Sequence, residues 1–232
     1  MKKLFVFCAI LVSILFLEQN ICAQDTNSLK PIFRGDKNSA TIALTFDACP
    51  NSGPNNYDET ITRVLKQTNT PATIFLSGKW IQFHEEVVKN LASDTLFELE
   101  NHSYSHPHLK NSSDTEILFQ ISKTNELIQQ ISGAKPKFFR CPYGEYDPRV
   151  LNIAEKCGLK TVQWSIVTGD PDKNVSAKDI IRTVLSEARN GSIIIMHING
   201  RGWHTAEALS VIIEELQKQG FKFVTLEKMS TG

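Results

Sequence analysis

Thr41-Ile42-Ala43-Leu44-Thr45-Phe46-Asp47 is an apolar, β-branched run that ends on a carboxylate, and Ala48-Cys49-Pro50 breaks it. A run this short and this rich in Thr, Ile and Phe reads as a buried strand, and the Pro/Asn/Gly-rich stretch 50–56 reads as the loop behind it. Working outward, runs of the same kind recur at 72–76, 96–100, 138–140, 161–164, 192–197 and 223–226. Helical patterns fill the gaps at 57–66, 80–91, 115–131, 148–156, 177–188 and 206–218. Strands alternating with helices are the pattern of βα units around a parallel sheet.

Local signals place some boundaries. Asp147 before Pro148 supplies a capping carboxylate and a residue suited to the first helical turn. Gly158 and Gly220 mark helix ends. About seven strand–helix pairs in about 210 residues fit a distorted (β/α)7-type barrel better than an eight-fold one, which takes about 250. An open doubly wound sheet is the alternative. No internal repeat or low-complexity linker divides the chain, so a single α/β domain is expected.

Composition agrees with one substantial core: 232 residues, 41% of them hydrophobic. The 25 Lys and Arg balance the 25 Asp and Glu, so charge points to no nucleic acid and no anionic membrane as partner.

The N-terminus stands apart. Lys2 and Lys3 precede an uncharged apolar run over 4–17, and the small Ala23 follows. This is the pattern of a signal peptide over 1–23, leaving 24–232 as the mature domain, exported to the periplasm or secreted. The run is shorter than the roughly 20 residues that span a bilayer, so no permanent membrane span is expected. Cys22 makes a lipoprotein the minor alternative, because Gln19-Asn20-Ile21 lacks small residues. In an oxidising compartment Cys49, Cys141 and Cys157 are able to pair, and Cys49 with Cys141 is the bridge to test. Cys157, inside a helical pattern, reads as a small buried hydrophobe.

Unusual polar residues fall where barrel chemistry gathers. Asp47, His102, Arg140, Asp170 and His197 each follow a strand candidate, and in α/β barrels those strand ends share one rim. Alone, each has a plain reading: Asp47 as a loop cap, His102 and His106 as part of a His-rich loop, Arg140 as a surface residue before a turn, His197 as a structural histidine. Together they form a chemical set. Imidazoles four residues apart, His102 and His106, can face one cation, and catalytic zinc ordinarily takes three protein ligands. A guanidinium such as Arg140 orients a carboxylate by parallel hydrogen bonds, and Asp170 is placed to fix the tautomer of His197 and raise its pKa.

The ordered motifs Thr45-Phe46-Asp47, His102-Ser103-Tyr104-Ser105-His106, Arg140-Cys141-Pro142-Tyr143-Gly144, Gly169-Asp170 and the strand ending in His197 resemble the polysaccharide deacetylases with a NodB homology domain, carbohydrate esterase family 4. The resemblance covers nearly the whole mature chain. It implies a distorted barrel, a divalent metal, usually zinc, and hydrolysis of acetamides on an N-acetylated glycan. It also implies Asp47 as catalytic base, Arg140 as its orienting residue, His197 as general acid and Asp170 as that histidine's partner. His102 and His106 match metal ligands, and Ile195 matches the apolar residue beside the acetyl methyl. Tyr143 and Trp203 are further candidates for substrate contact.

The chain departs from that family at three positions. Most members carry a second acid, a metal ligand, where this chain has Ala48; Asp58 and His204 are the candidates to replace it, with Asp58 equally readable as a helix cap. Val167 and Pro171 also differ from the residues many members have. Two rivals therefore stand beside the deacetylase: an O-acetyl esterase on an acetylated glycan, and a catalytically inactive carbohydrate-binding barrel, which Ala48 favours.

Overall fold

The computed structural model describes residues 29–50 and 57–231. The expected signal peptide and the loop over 51–56 lie outside the described residues.

Among the described residues, eight strands form one parallel sheet: β1 (Thr41–Ala48), β2 (Ala72–Leu76), β3 (Phe97–Asn101), β4 (Phe138–Phe139), β5 (Lys160–Thr161), β6 (Ile166–Val167), β7 (Ser192–His197) and β8 (Lys222–Phe223). Their spatial order is β5-β4-β3-β2-β1-β7-β6, with β8 against the start of β1. Isolated bridges from Ile32 to Val162 and from Arg34 to Ser192 carry the N-terminal segment across the gap between β5 and β7. The sheet is thus the curled, incomplete barrel that the strand spacing implies.

The helices are α1 (Glu59–Gln67), α2 (Gly78–Phe83), α3 (Glu85–Ala92), α4 (Asp114–Ser132), α5 (Pro148–Lys156), α6 (Ala177–Glu187), α7 (Thr205–Lys218) and α8 (Leu226–Thr231). None is long and apolar enough to cross a membrane. Local chemistry sets their ends. Ser176 and Asp179 form a capping box at α6, Asp147 caps α5 ahead of Pro148, and Gly133 closes α4 at φ 73°.

Strand alternation divides the apolar residues between two sides of the sheet. Leu44, Phe46, Ile74, Leu76, Ile194 and Met196 pack outward against the helices, while Ala43, Phe75, Phe138, Val162 and Ile193 form a smaller inner cluster closed by Leu226 and Met229 of α8. Fully burying a residue such as Phe46 stabilises the fold by about 1.5–3 kcal/mol.

Three expectations change in detail. The helix expected over 80–91 is broken at His84, whose backbone leaves the helical region at φ −128°, ψ 34° and whose ring stacks on that of Trp80 at 4.3 Å. The run 161–164 continues as β5 only to Thr161, with Val162 making an isolated bridge to Ile32, and the separate strand β6 takes up the edge beside β7. The last run pairs only over Lys222–Phe223, because Leu226 already begins α8.

Candidate active site

Sheet register brings the strand-end residues to one level. Asp47 stands opposite His197 across β1 and β7 and opposite Phe75 of β2; Leu76 faces Asn101, which faces Phe139. His102 and Arg140 are the next residues along β3 and β4, so they reach the same rim. There His102 borders a cleft of about 210 Å³ together with Asp47, Cys49, His106, Tyr143 and His197, while Arg140 lies buried behind it. It is smaller than the roughly 300–1,000 Å³ of a site for a whole drug-sized ligand, so it admits a substituent rather than a chain of sugars.

Arg140 is completely buried, its Nη1 donates to Asp47 Oδ1 at 2.8 Å, and its guanidinium lies 4.0 Å from the centre of the Phe75 ring. Burial acts to raise the Asp47 pKa, but the charges of Arg140, His102 and His197 outweigh it and hold the carboxyl below its ordinary value. Asp47 is therefore ionised and oriented.

His197 is held by a second carboxylate. Asp170 accepts from His197 Nδ1 at 3.0 Å, from its backbone N–H at 2.7 Å and from the Thr205 hydroxyl at 2.7 Å. Burial disfavours the imidazolium, yet the Asp170 hydrogen bond and charge, with Cys49 and Asp47, raise the His197 pKa to about 10. At neutral pH it carries a proton to give.

The third group holds donors for a metal. His102 Nδ1 donates to the Arg140 carbonyl at 2.9 Å, which leaves the Nε2 lone pair facing the cleft. His106 follows at φ 59°, its backbone N–H bound to the Ser103 hydroxyl at 3.1 Å, and its ring meets that of His102 at 4.8 Å. Cys49 Sγ lies 3.7 Å from His102 Nε2 and 3.4 Å from His106 Nε2, and the three ligand atoms stand within 4.8 Å of one another. Burial acts to raise the Cys49 pKa; hydrogen bonds from His102, His106 and His197 prevail and hold it well below the usual thiol value. A thiolate beside two imidazoles and a carboxylate is a donor set that suits a divalent cation.

Other expected residues lie elsewhere or play other parts. Asp58 is the N-cap of α1, accepting from the Thr60 N–H at 2.9 Å, and is not in the donor cluster. His204 Nδ1 faces Glu207 at 3.4 Å at the start of α7. Trp203 is exposed and does not line the cleft. Cys49, Cys141 and Cys157 are free thiols, which corrects the expected Cys49–Cys141 bridge. Ile195 and Tyr143 do line the cleft, Tyr143 at φ 58° with its ring stacked 4.1 Å from that of His108. Trp164, Val167 and Arg201 border it as well. Cys49 itself was legible: side chains alternate along a strand, so the second residue beyond Asp47 returns to the same face.

A barrel rim where an ionised carboxylate, a protonated imidazole and three possible metal donors meet holds the kinds of group that acyl hydrolysis uses. The polysaccharide deacetylase family matches residues 34–162. A peptidoglycan-N-acetylglucosamine deacetylase of Bacillus cereus is 38% identical over 85% of this chain and 70% of its own length. Among solved structures, a peptidoglycan N-acetylglucosamine deacetylase superposes with a TM-score of 0.80 at 37% identity, covering 86% of this chain and 92% of that one. A pseudoenzyme of carbohydrate esterase family 4 from Bacillus anthracis superposes with a TM-score of 0.79 at 31% identity, covering 87% and 69%. The chain belongs to the polysaccharide deacetylase family.

Proposed function

We propose that this chain is an exported, metal-dependent deacetylase that removes N-acetyl groups from an amino-sugar polymer. The observation that carries this reading is the opposition, in one register row, of a base paired with arginine and a histidine paired with aspartate: Asp47 with Arg140, His197 with Asp170. His102 and His106 would hold a divalent metal, zinc by the character of the donors, and such an ion when bound would supply Lewis-acid polarisation and a more acidic water.

The chain's own residues divide the remaining work. Asp47, kept ionised and aimed by Arg140, takes the proton of the attacking water. His197, held as imidazolium by Asp170, hands a proton to the departing amine nitrogen, which makes the sugar amine a leaving group. Ile195, on the strand that ends in His197, offers an apolar wall to the acetyl methyl. The backbone N–H of Tyr143 is the donor this reading assigns to a developing oxyanion, since those of Gly144 and Glu145 are bonded within the turn.

Acetate release from N-acetylglucosamine oligomers, compared with release from acetylxylan, tests the substrate class. Turnover of the oligomers supports the reading; release from the xylan ester alone would replace it with the O-acetyl esterase. The likeness to a pseudoenzyme favours an inactive barrel as the second reading. Against it stand both acid–base pairs, for which a protein that only binds sugar has no use. Absence of acetate release from any acetylated glycan, with metal bound, would establish that second reading.

A further inference from the structure

We propose that Cys49 is the third protein ligand of the metal, so that the site is built from one thiolate and two imidazoles. This rests on the metal-dependent reading above and concerns the chain's own donor set. Around a tetrahedral zinc, with Zn–S near 2.3 Å and Zn–N near 2.0–2.1 Å, a sulfur and a nitrogen ligand stand about 3.5 Å apart. The observed separations from Cys49 Sγ, 3.7 Å to His102 Nε2 and 3.4 Å to His106 Nε2, bracket that value.

Several neighbours fix the donors in this arrangement. The Arg140 carbonyl takes the Nδ1 proton of His102, so its Nε2 is free to ligate. Asn199 Nδ2 donates to the Cys49 carbonyl at 2.8 Å and ties the residue after β1 to the end of β7. Ala48, the residue between Asp47 and Cys49, is fully buried in the outer core and has no donor atom. Strand alternation turns Asp47 and Cys49 to the cleft and Ala48 away from it. The carboxylate pairs with Arg140 at 2.8 Å, its second oxygen standing 3.6 Å from His102 Nε2, and the sulfur goes to the metal. A thiolate also biases the site toward zinc and cobalt over magnesium, calcium and manganese, whose preferred ligands are oxygens.

Cobalt(II) substitution reads the ligand directly, because thiolate coordination adds a near-ultraviolet charge-transfer band that nitrogen and oxygen ligands do not produce. The mature protein, loaded to one cobalt per chain by metal analysis, is expected to show the band. Cys141→Ser and Cys157→Ser should keep it and Cys49→Ser should lose it, while Cys49→Asp should bind cobalt without it. A wild-type protein holding one cobalt with no such band, or a band that survives in Cys49→Ser, overturns the proposal. Chelator-sensitive acetate release without the band would sink the thiolate ligand and leave the deacetylase standing. A cysteine-dependent band in a protein that releases no acetate would support the ligand and sink the deacetylase.

Discussion

Arg140 Nη1 lies 2.8 Å from Asp47 Oδ1, with both side chains sealed from solvent, although 92 residues separate them in sequence. Removing one member of a buried pair leaves the other uncompensated, which costs about 3–5 kcal/mol. Arg140→Met is therefore expected to lower unfolding free energy by that order and to remove most acetate release. Denaturant unfolding at pH 7 and a kinetic assay on the same preparation check both parts. Asp47→Asn, which keeps the shape but loses the base, is expected to cut kcat about 10²–10⁴-fold.

His197→Gln should lower kcat by a similar factor of about 10²–10⁴ with KM little changed, because the acid acts on the leaving group. Asp170→Asn should lower kcat and stability together, since Asp170 also accepts from the Thr205 hydroxyl and the His197 backbone. Paired kcat and KM measurements separate the two roles. Unchanged kcat in His197→Gln would remove His197 from the proton path.

Chelator treatment should abolish acetate release, and added zinc should restore it. His102→Ala and His106→Ala are each expected to lose bound metal as measured on the purified protein. A double variant that retained one metal per chain would show that the ion sits elsewhere.

A pH dependence of stability follows from Glu98, away from the rim. Burial raises its pKa, and the charge of Glu227 adds to this, against hydrogen bonds from the Thr73 hydroxyl and the N–H groups of Leu226 and Glu227. With a folded value above the unfolded 4.5, the native state holds its proton longer than the unfolded chain as pH rises. The stabilisation is complete below pH 4.5 and disappears as pH climbs through the folded value. The stability difference between wild type and Glu98→Gln should therefore shift in favour of the variant as pH is raised above 4.5, read by urea unfolding across pH. A difference that ran the other way would place the folded value below 4.5.

Gly202 approaches the acid closely: a Cβ there would stand 2.3 Å from the His197 carbonyl oxygen. Backbone rather than a flexible side chain blocks the space, so Gly202→Ala must displace the end of β7. About 1–3 kcal/mol of stability is expected to go, with kcat falling through the moved imidazole. A variant crystal structure with an unshifted His197 would contradict this.

Much of the fold could be read along the chain, because parallel strands buried on both faces leave continuous apolar runs, as in 41–46 and 192–197. The two-residue strands β4, β5, β6 and β8 were harder to bound, since so few residues carry no periodicity. The break at His84 involves no proline or glycine and goes with an imidazole stacked on the Trp80 ring. Asp58 was ambiguous for a like reason: a carboxylate before a helix serves as cap or ligand with the same sequence, and only its 2.9 Å bond to the Thr60 N–H assigns it.

Sequence alone determined the class of the barrel and the family, and it singled out the polar residues at strand ends, because each of these is written in short runs and local spacing. Tertiary structure decided which donor side chains stand together. Cys49, His102 and His106 meet only because β1 and β3, separated by β2, bring their ends to one level, and that register is set by packing across the whole sheet. It also decided that Cys49 stands free beside two imidazoles rather than bridged to Cys141, a choice of partner that no linear spacing encodes.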